Sequence, residues 1–138
     1  MKLKMAGYDP TSSLTLGTTV GVPYDTSQLR ILADLNGNGD TSNAHEDIIY
    51  TEDSTDDQID RNTGAGGQPF AENIESFSFT YYDEDGNTTT TSSDIRQVEI
   101  TIEAKTPKPD PNYTHPDYSD GYRRYTLKSF VTPPNLAL

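Results

Sequence analysis

A chain of 138 residues with a formal net charge of −12, 31% hydrophobic residues and neither Cys nor Trp reads as one small, polar, loop-rich domain spanning residues 1–138. The charge is lopsided: residues 1–95 hold four basic and seventeen acidic side chains, residues 96–138 six and five. Without clustered Lys and Arg to neutralise phosphates, nonspecific nucleic-acid binding is excluded, and without Cys so are thiol catalysis, cysteine-ligated metals and disulfides.

Four Phe and nine Tyr argue for a folded core, against the disorder that charge alone would suggest. Only the first seven residues suggest helix, in a turn that ends at Gly7 ahead of Asp9-Pro10. Residues 27–33 predict a short strand leading into Asp34-Leu-Asn-Gly-Asn-Gly-Asp40. This loop sets short oxygen-bearing side chains at alternate positions around two glycines that can take the positive φ of a tight curl. Calcium takes six to eight oxygen ligands at about 2.3–2.6 Å, so Asp34, Asn36, Asn38 and Asp40 with the nearby Glu46 and Asp47 form a candidate calcium site. The EF-hand pattern fails at its twelfth position, occupied here by His45 rather than Glu. A surface turn needing no metal is the competing reading, since Asn-Gly and Asn-Gly-Asp are common turn signals.

A strand at 47–51 leaves the loop, and a weak segment at 57–62 and a Gly-rich turn at 63–69 follow. From Ile74 to Tyr82 residues alternate, with Phe77, Phe79 and Tyr81 on one face and Ser76, Ser78 and Thr80 on the other. Asp83-Glu-Asp-Gly-Asn87 reads as the turn of a hairpin; Asp83, Asp85 and Asn87 could alternatively hold a second cation. The return strand, 94–105, places Val98, Ile100, Ile102 and Ala104 on one face. A Pro-rich excursion over 106–120 precedes a last strand, 122–131, with Tyr125, Leu127 and Val131 on a common face. Tyr113, Tyr118, Tyr122 and Tyr125 with Arg123 and Arg124 form either a contact patch or strand residues covered by the Pro-rich loop.

No chemistry emerges from these elements. There is no Gly-x-Ser-x-Gly, the two His (His45 and His115) sit in no catalytic pattern, and paired carboxylates for glycoside cleavage lack a Trp stacking platform. The strands predict an antiparallel sheet with one apolar face and too few other apolar strands for a second sheet to cover it. A helix entering from the N-terminus, of which Leu3 to Tyr8 are the last turns, is expected to fill that role.

The order of motifs resembles a family. A stub ending Met5-Ala-Gly-Tyr-Asp-Pro10, the 34–40 loop with Glu46 and Tyr50, Ala71-Glu-Asn-Ile-Glu-Ser-Phe77 with Tyr81-Tyr-Asp, Ile95-Arg-Gln-Val-Glu-Ile-Thr-Ile102, and Arg124 to Val131 through Asn135 together resemble the soluble domain of type IV pilus minor pilins of the PilW-like group. Those proteins are relatives of the type II secretion pseudopilins. Two family features depart here: the basic leader with its hydrophobic helix does not appear, and Pro134-Asn135 stands where Arg-Asn is common. The resemblance implies an α+β pilin fold, an antiparallel sheet packed on the C-terminal stub of an N-terminal helix whose membrane-spanning part has been removed. It also implies a non-enzymatic structural subunit, anchored in the inner membrane before assembly and then periplasmic or extracellular in the fibre. Other pilins or pseudopilins are its implied partners. A secreted calcium-dependent adhesin or carbohydrate-binding β module, built as a closed sandwich without that helix, is the alternative.

Overall fold

The computed structural model describes residues 1–136. Among the described residues seven strands form two antiparallel sheets. The first has the order β1 (Gln28–Leu32), β2 (Asp47–Asp53), β3 (Gln58–Asn62), β4 (Gly67–Glu72); the second has β5 (Ile74–Tyr82), β6 (Gln97–Lys105), β7 (Arg124–Val131).

Both sheets follow from period-two patterning. Leu29 and Ile31 of β1 alternate with half-buried Gln28 and Arg30, and Ile48 and Tyr50 of β2 and Ile59 of β3 lie against them in the core. In the second sheet Phe77 stands opposite Ile102, Phe79 opposite Ile100 and Tyr81 opposite Val98, so one face is apolar from strand to strand. The rings of Phe77, Phe79 and Tyr81 pack edge to face along β5, with centroids 5.3 and 5.8 Å apart. Residues of both sheets belong to one buried cluster, joined by Leu3, Ala6, Val22, Ile95 and Leu136 from the loops and short turns.

Three expectations are corrected. The helical stub is absent: Leu3–Met5 forms one turn of 3-10 helix, and Ala6 and Gly7 then turn the chain, the Tyr8 amide donating to the Met5 carbonyl at 3.1 Å. Seven residues with no side-chain cap lack the length that helix nucleation requires. The predicted single sheet is two sheets, because the weak segment at 57–62 contains an interior strand and the Gly-rich stretch passes at Gly67 into the edge strand β4. Sequence reasoning undervalued β3, whose single fully buried side chain, Ile59, sits among polar ones. The connection between β5 and β6 is also longer than a hairpin turn, passing through a 3-10 turn at Ser92–Asp94 before β6 begins at Gln97.

The first residues are nonetheless seated. Leu3 and Ala6 are fully buried beside Leu136, the Gly7 amide donates to the Leu32 carbonyl at 3.0 Å, and the Asp34 amide donates to the Tyr8 carbonyl at 2.8 Å. Burying a side chain such as Leu3 contributes about 1.5–3 kcal/mol, so this segment is part of the domain. The two sheets do not close into a sandwich: on the apolar face of β7, Tyr125 and Leu127 remain 69% and 53% exposed.

Candidate functional sites: the acidic loop and the open sheet face

Asp34 lies two residues beyond the end of β1 at Leu32, and β2 begins one residue after Glu46. Both carboxylates are fully buried, and both point at loop amides. Asp34 Oδ1 accepts from the amides of Gly37 (2.7 Å) and Asn38 (3.2 Å), and its Oδ2 from Gly39 (2.9 Å). Glu46 Oε1 accepts from Leu35 (2.9 Å) and Asn36 (3.1 Å), and its Oε2 from Asn43 (3.2 Å). Charge-assisted bonds of this kind are about twice as strong as neutral ones, so the amides offset much of the cost of burying two charges. Gly37 and Gly39, at φ +75° and +85°, turn their amides inward as an L side chain would rarely allow.

The alternating side chains do a different job. Asn36 Oδ1 accepts from the Asn38 amide at 2.9 Å and Asn38 Oδ1 from the Asp40 amide at 3.0 Å. Asp40 Oδ1 accepts from both the amide and the hydroxyl of Ser42, at 2.9 and 2.7 Å. These are consecutive Asx turns, a local use of the spacing that also suits a cation. The Ser42 bonds hold the Asp40 carboxyl below its ordinary value. Asp47 stands apart from the others: Arg30 grips it bidentately, with Nε at 2.8 Å and Nη2 at 2.7 Å. His45 is exposed in a left-handed conformation, at φ +69°. Among the described residues no group of three or more His, Cys, Asp or Glu side chains stands ready to hold a metal ion. Asp34 and Glu46 are thus brought together, Asn36, Asn38 and Asp40 line the exposed rim, and Asp34 Oδ2 and Glu46 Oε2 each keep acceptor capacity beyond one amide.

The second acidic turn has the same economy. Asp83 Oδ1 accepts from the amides of Asp85 (3.0 Å) and Asn87 (2.9 Å), and Asp85 and Asn87 are exposed.

The aromatic and basic residues near the end split between two faces. Arg124 lies over the Tyr118 ring at 3.7 Å, holds Asp120 through Nη1 and Nη2 at 2.9 Å each, and reaches Glu75 at 3.2 Å. Arg123 stacks on Tyr113 at 4.1 Å, and the Tyr118 hydroxyl donates to Glu103 at 2.8 Å. These contacts bind the Pro-rich excursion to the outer surface of β6 and β7. Tyr125 is not one of them, because it stands opposite Ala104 on the apolar face.

That apolar face carries the other notable feature, a groove of about 470 Å³ walled by Met1, Leu3, Met5, Phe70, Ile102 and Val131. Lys2, Lys4 and Ser129 also border it, with no carboxylate or imidazole beside them in the lining. Sequence reasoning placed Ile102 and Val131 on this face but missed Phe70, which reaches it from β4 and packs on Tyr50 at 5.2 Å. Phe70 sits beside Pro69 in a stretch rich in Gly, and the turn signal there masks a strand.

No protein-family profile matches the chain, and no curated protein does. Among solved structures it is similar to the type IV-like pilin TTHA1219 from Thermus thermophilus, at 15% sequence identity and a TM-score of 0.55, over 99% of this chain and 91% of that one. Among the described residues no helix is long and apolar enough to cross a membrane. The groove and the two linked sheets therefore belong to a pilin-like fold.

Proposed function

We propose that this chain is the globular domain of a pilin-type structural subunit, a minor pilin or pseudopilin whose work is assembly rather than catalysis. One observation carries the reading: the apolar face of β5, β6 and β7 is open along β7 and ends in a groove bordered by the seated residues Met1, Leu3 and Met5. A helix continuous with those residues would lie over the groove and bury Ile102, Tyr125 and Leu127, which removes apolar surface from water at about 25 cal/mol per Å². Its apolar remainder would hold the subunit in the inner membrane and then pack among other pilins in the fibre core. The pilin-like fold supports this reading over the calcium-dependent adhesin or carbohydrate-binding module, for which the uncovered β7 face speaks against a closed sandwich.

The reading is tested by shearing surface fibres from source cells and probing them with an antibody against residues 1–138. The domain is expected in the fibre fraction and, in cells blocked for assembly, in the inner membrane. Recovery only as a free secreted or cytosolic protein would overturn it.

We also propose calcium as a ligand of the loop, through Asp34 and Glu46 with rim oxygens of Asn36, Asn38 and Asp40. Its support is the unused acceptor capacity of the two buried carboxylates and the density of acids around them. Bound there, calcium would brace the turn between β1 and β2 by cross-linking both carboxylates.

A further inference from the structure

Two open sheets have four edges, and three of them carry features that discourage pairing. On β1, Leu32 exchanges both backbone bonds with Gly21, at 2.9 and 2.8 Å. The edge strand β4 is short, contains Pro69, and pairs with β3 through a register shift at Ile59/Asp60. On β5 the register shifts between Ile74 and Ser76, Glu52 takes the Phe77 amide at 3.2 Å, and Tyr82 is bridged to Thr88.

β7 has none of these. It runs eight residues, pairs with β6 without a bulge, and contains no Pro, Gly or acidic residue. Among the described residues its backbone makes no hydrogen bond beyond the β6 ladder. Tyr125, Leu127 and Phe130 are all more than half exposed. Basic residues often guard such edges, but here both are already engaged: Lys128 with Glu99 at 3.1 Å, and Arg124 with Asp120 and Glu75.

We propose that β7 is a self-association edge, at which a second copy of this chain adds its own β7 antiparallel across a two-fold axis to make one six-stranded sheet. The occupant follows from the strand's own sequence. Tyr125, Leu127, Ser129 and Val131 share the apolar face, and Arg124, Thr126, Lys128 and Phe130 share the other. Pairing across a two-fold axis normal to the sheet must set like faces side by side. With the axis through Leu127, Leu127 meets its own copy, Tyr125 meets Ser129, Thr126 meets Lys128, and Arg124 meets Phe130. No like charges stand opposite. The neighbouring registers that also align the faces set Lys128 against Lys128, or Arg124 against Lys128, and like charges directly opposite are destabilising. Of the two registers with the longest overlap, the strand therefore favours the one through Leu127. This surface is independent of the pilin reading, since a helix on the apolar face leaves the strand edge open.

A single strand pair lies at the small end of protein interfaces, below about 1,200 Å², so weak association is expected, with a Kd of about 10 μM to 1 mM. The test is sedimentation equilibrium of residues 1–138 up to about 1 mM, with hydrogen exchange read at residues 124–131. The expected result is a concentration-dependent dimer in which exchange at β7 amides slows. Leu127→Lys and Leu127→Glu alter a side chain 53% exposed; each alone should be monomeric, and an equimolar mixture should recover the dimer by at least tenfold over either. A wild-type protein monomeric at every concentration would overturn the proposal. So would a dimer that survives Leu127→Lys, or one that leaves the β7 amides unprotected, the sign of association through the apolar face instead.

Discussion

Asp34 and Glu46 close the same loop from opposite ends, each fully buried and each accepting three backbone amides from the chain between them. Removing either acceptor strands buried donors. Glu46→Ala should therefore lower stability by about 2–4 kcal/mol, while Asp40→Ala, at an exposed turn, should cost far less. Urea unfolding with an unchanged m-value measures both, and equal effects would mean that the buried carboxylates do not organise the loop.

Calcium acts on the same residues but separates from the amide bonds by experiment. At one hundred times its Kd, calcium that binds only the folded form adds about 2.7 kcal/mol, a rise that Asp34→Ala should abolish. Asp47→Ala should leave the calcium response intact, because Arg30 already holds that side chain. A melting temperature indifferent to calcium and to chelator removes the ion and leaves the amides alone to close the loop.

The Arg124 cluster should set part of the acid sensitivity. Bonds from the Arg124 guanidinium, helped by the Tyr122 amide, hold the Asp120 carboxyl at about 2 against an ordinary 3.8. A folded value below the unfolded one gives stability that is fully present above pH 3.8 and is lost as pH falls through 2. Asp120→Asn should flatten the acid unfolding profile in that window. Its absence of effect there, measured by circular dichroism against pH, would refute the assignment.

Arg124→Lys should not rescue the same site. Lysine keeps the charge but neither the fork that grips Asp120 nor the planar stack on Tyr118, so a loss of about 1–2 kcal/mol is expected. Limited proteolysis should then open the Pro-rich excursion first. A variant as stable and as resistant as the parent would show the stack to be incidental.

Gly17 is a strict packing requirement. Its φ is +88°, and a Cβ built there would come within 2.4 Å of the Ser92 backbone carbon. Since backbone cannot swing aside as a side chain does, Gly17→Ala should destabilise by more than about 2 kcal/mol. Gly64→Ala, where a Cβ meets nothing within 4 Å, should cost only its backbone strain, about 1 kcal/mol. Thermal melts of the pair test the contrast.

Much of the second sheet was legible because its strands are regular: Phe77, Phe79 and Tyr81 alternate with Ser and Thr, and β6 alternates over its whole length. β3 and β4 were not, since one buried Ile59 and one Phe70 give no period to detect, and their neighbours are Asp, Gly and Pro. At the loop, Asp34 and the glycines were recognisable from spacing alone. Which atoms they serve was not, because alternate oxygens suit both a cation and a run of Asx turns, and only the fold brings Glu46 back across the loop. The partner of Asp47 was hidden for a similar reason: Arg30 lies on the facing strand, seventeen residues earlier.

The stitching of Gly7 and Tyr8 to Leu32 and Asp34 decides how tension would travel. A tug arriving through the first residues is handed to β1 and the neck of the acidic loop, where several bonds must give way at once. β7 shares no backbone bond with those residues and meets them through side chains alone, at Val131 across the groove and Leu136 beyond its end, so less of that load reaches the strand best suited to recruit a neighbour.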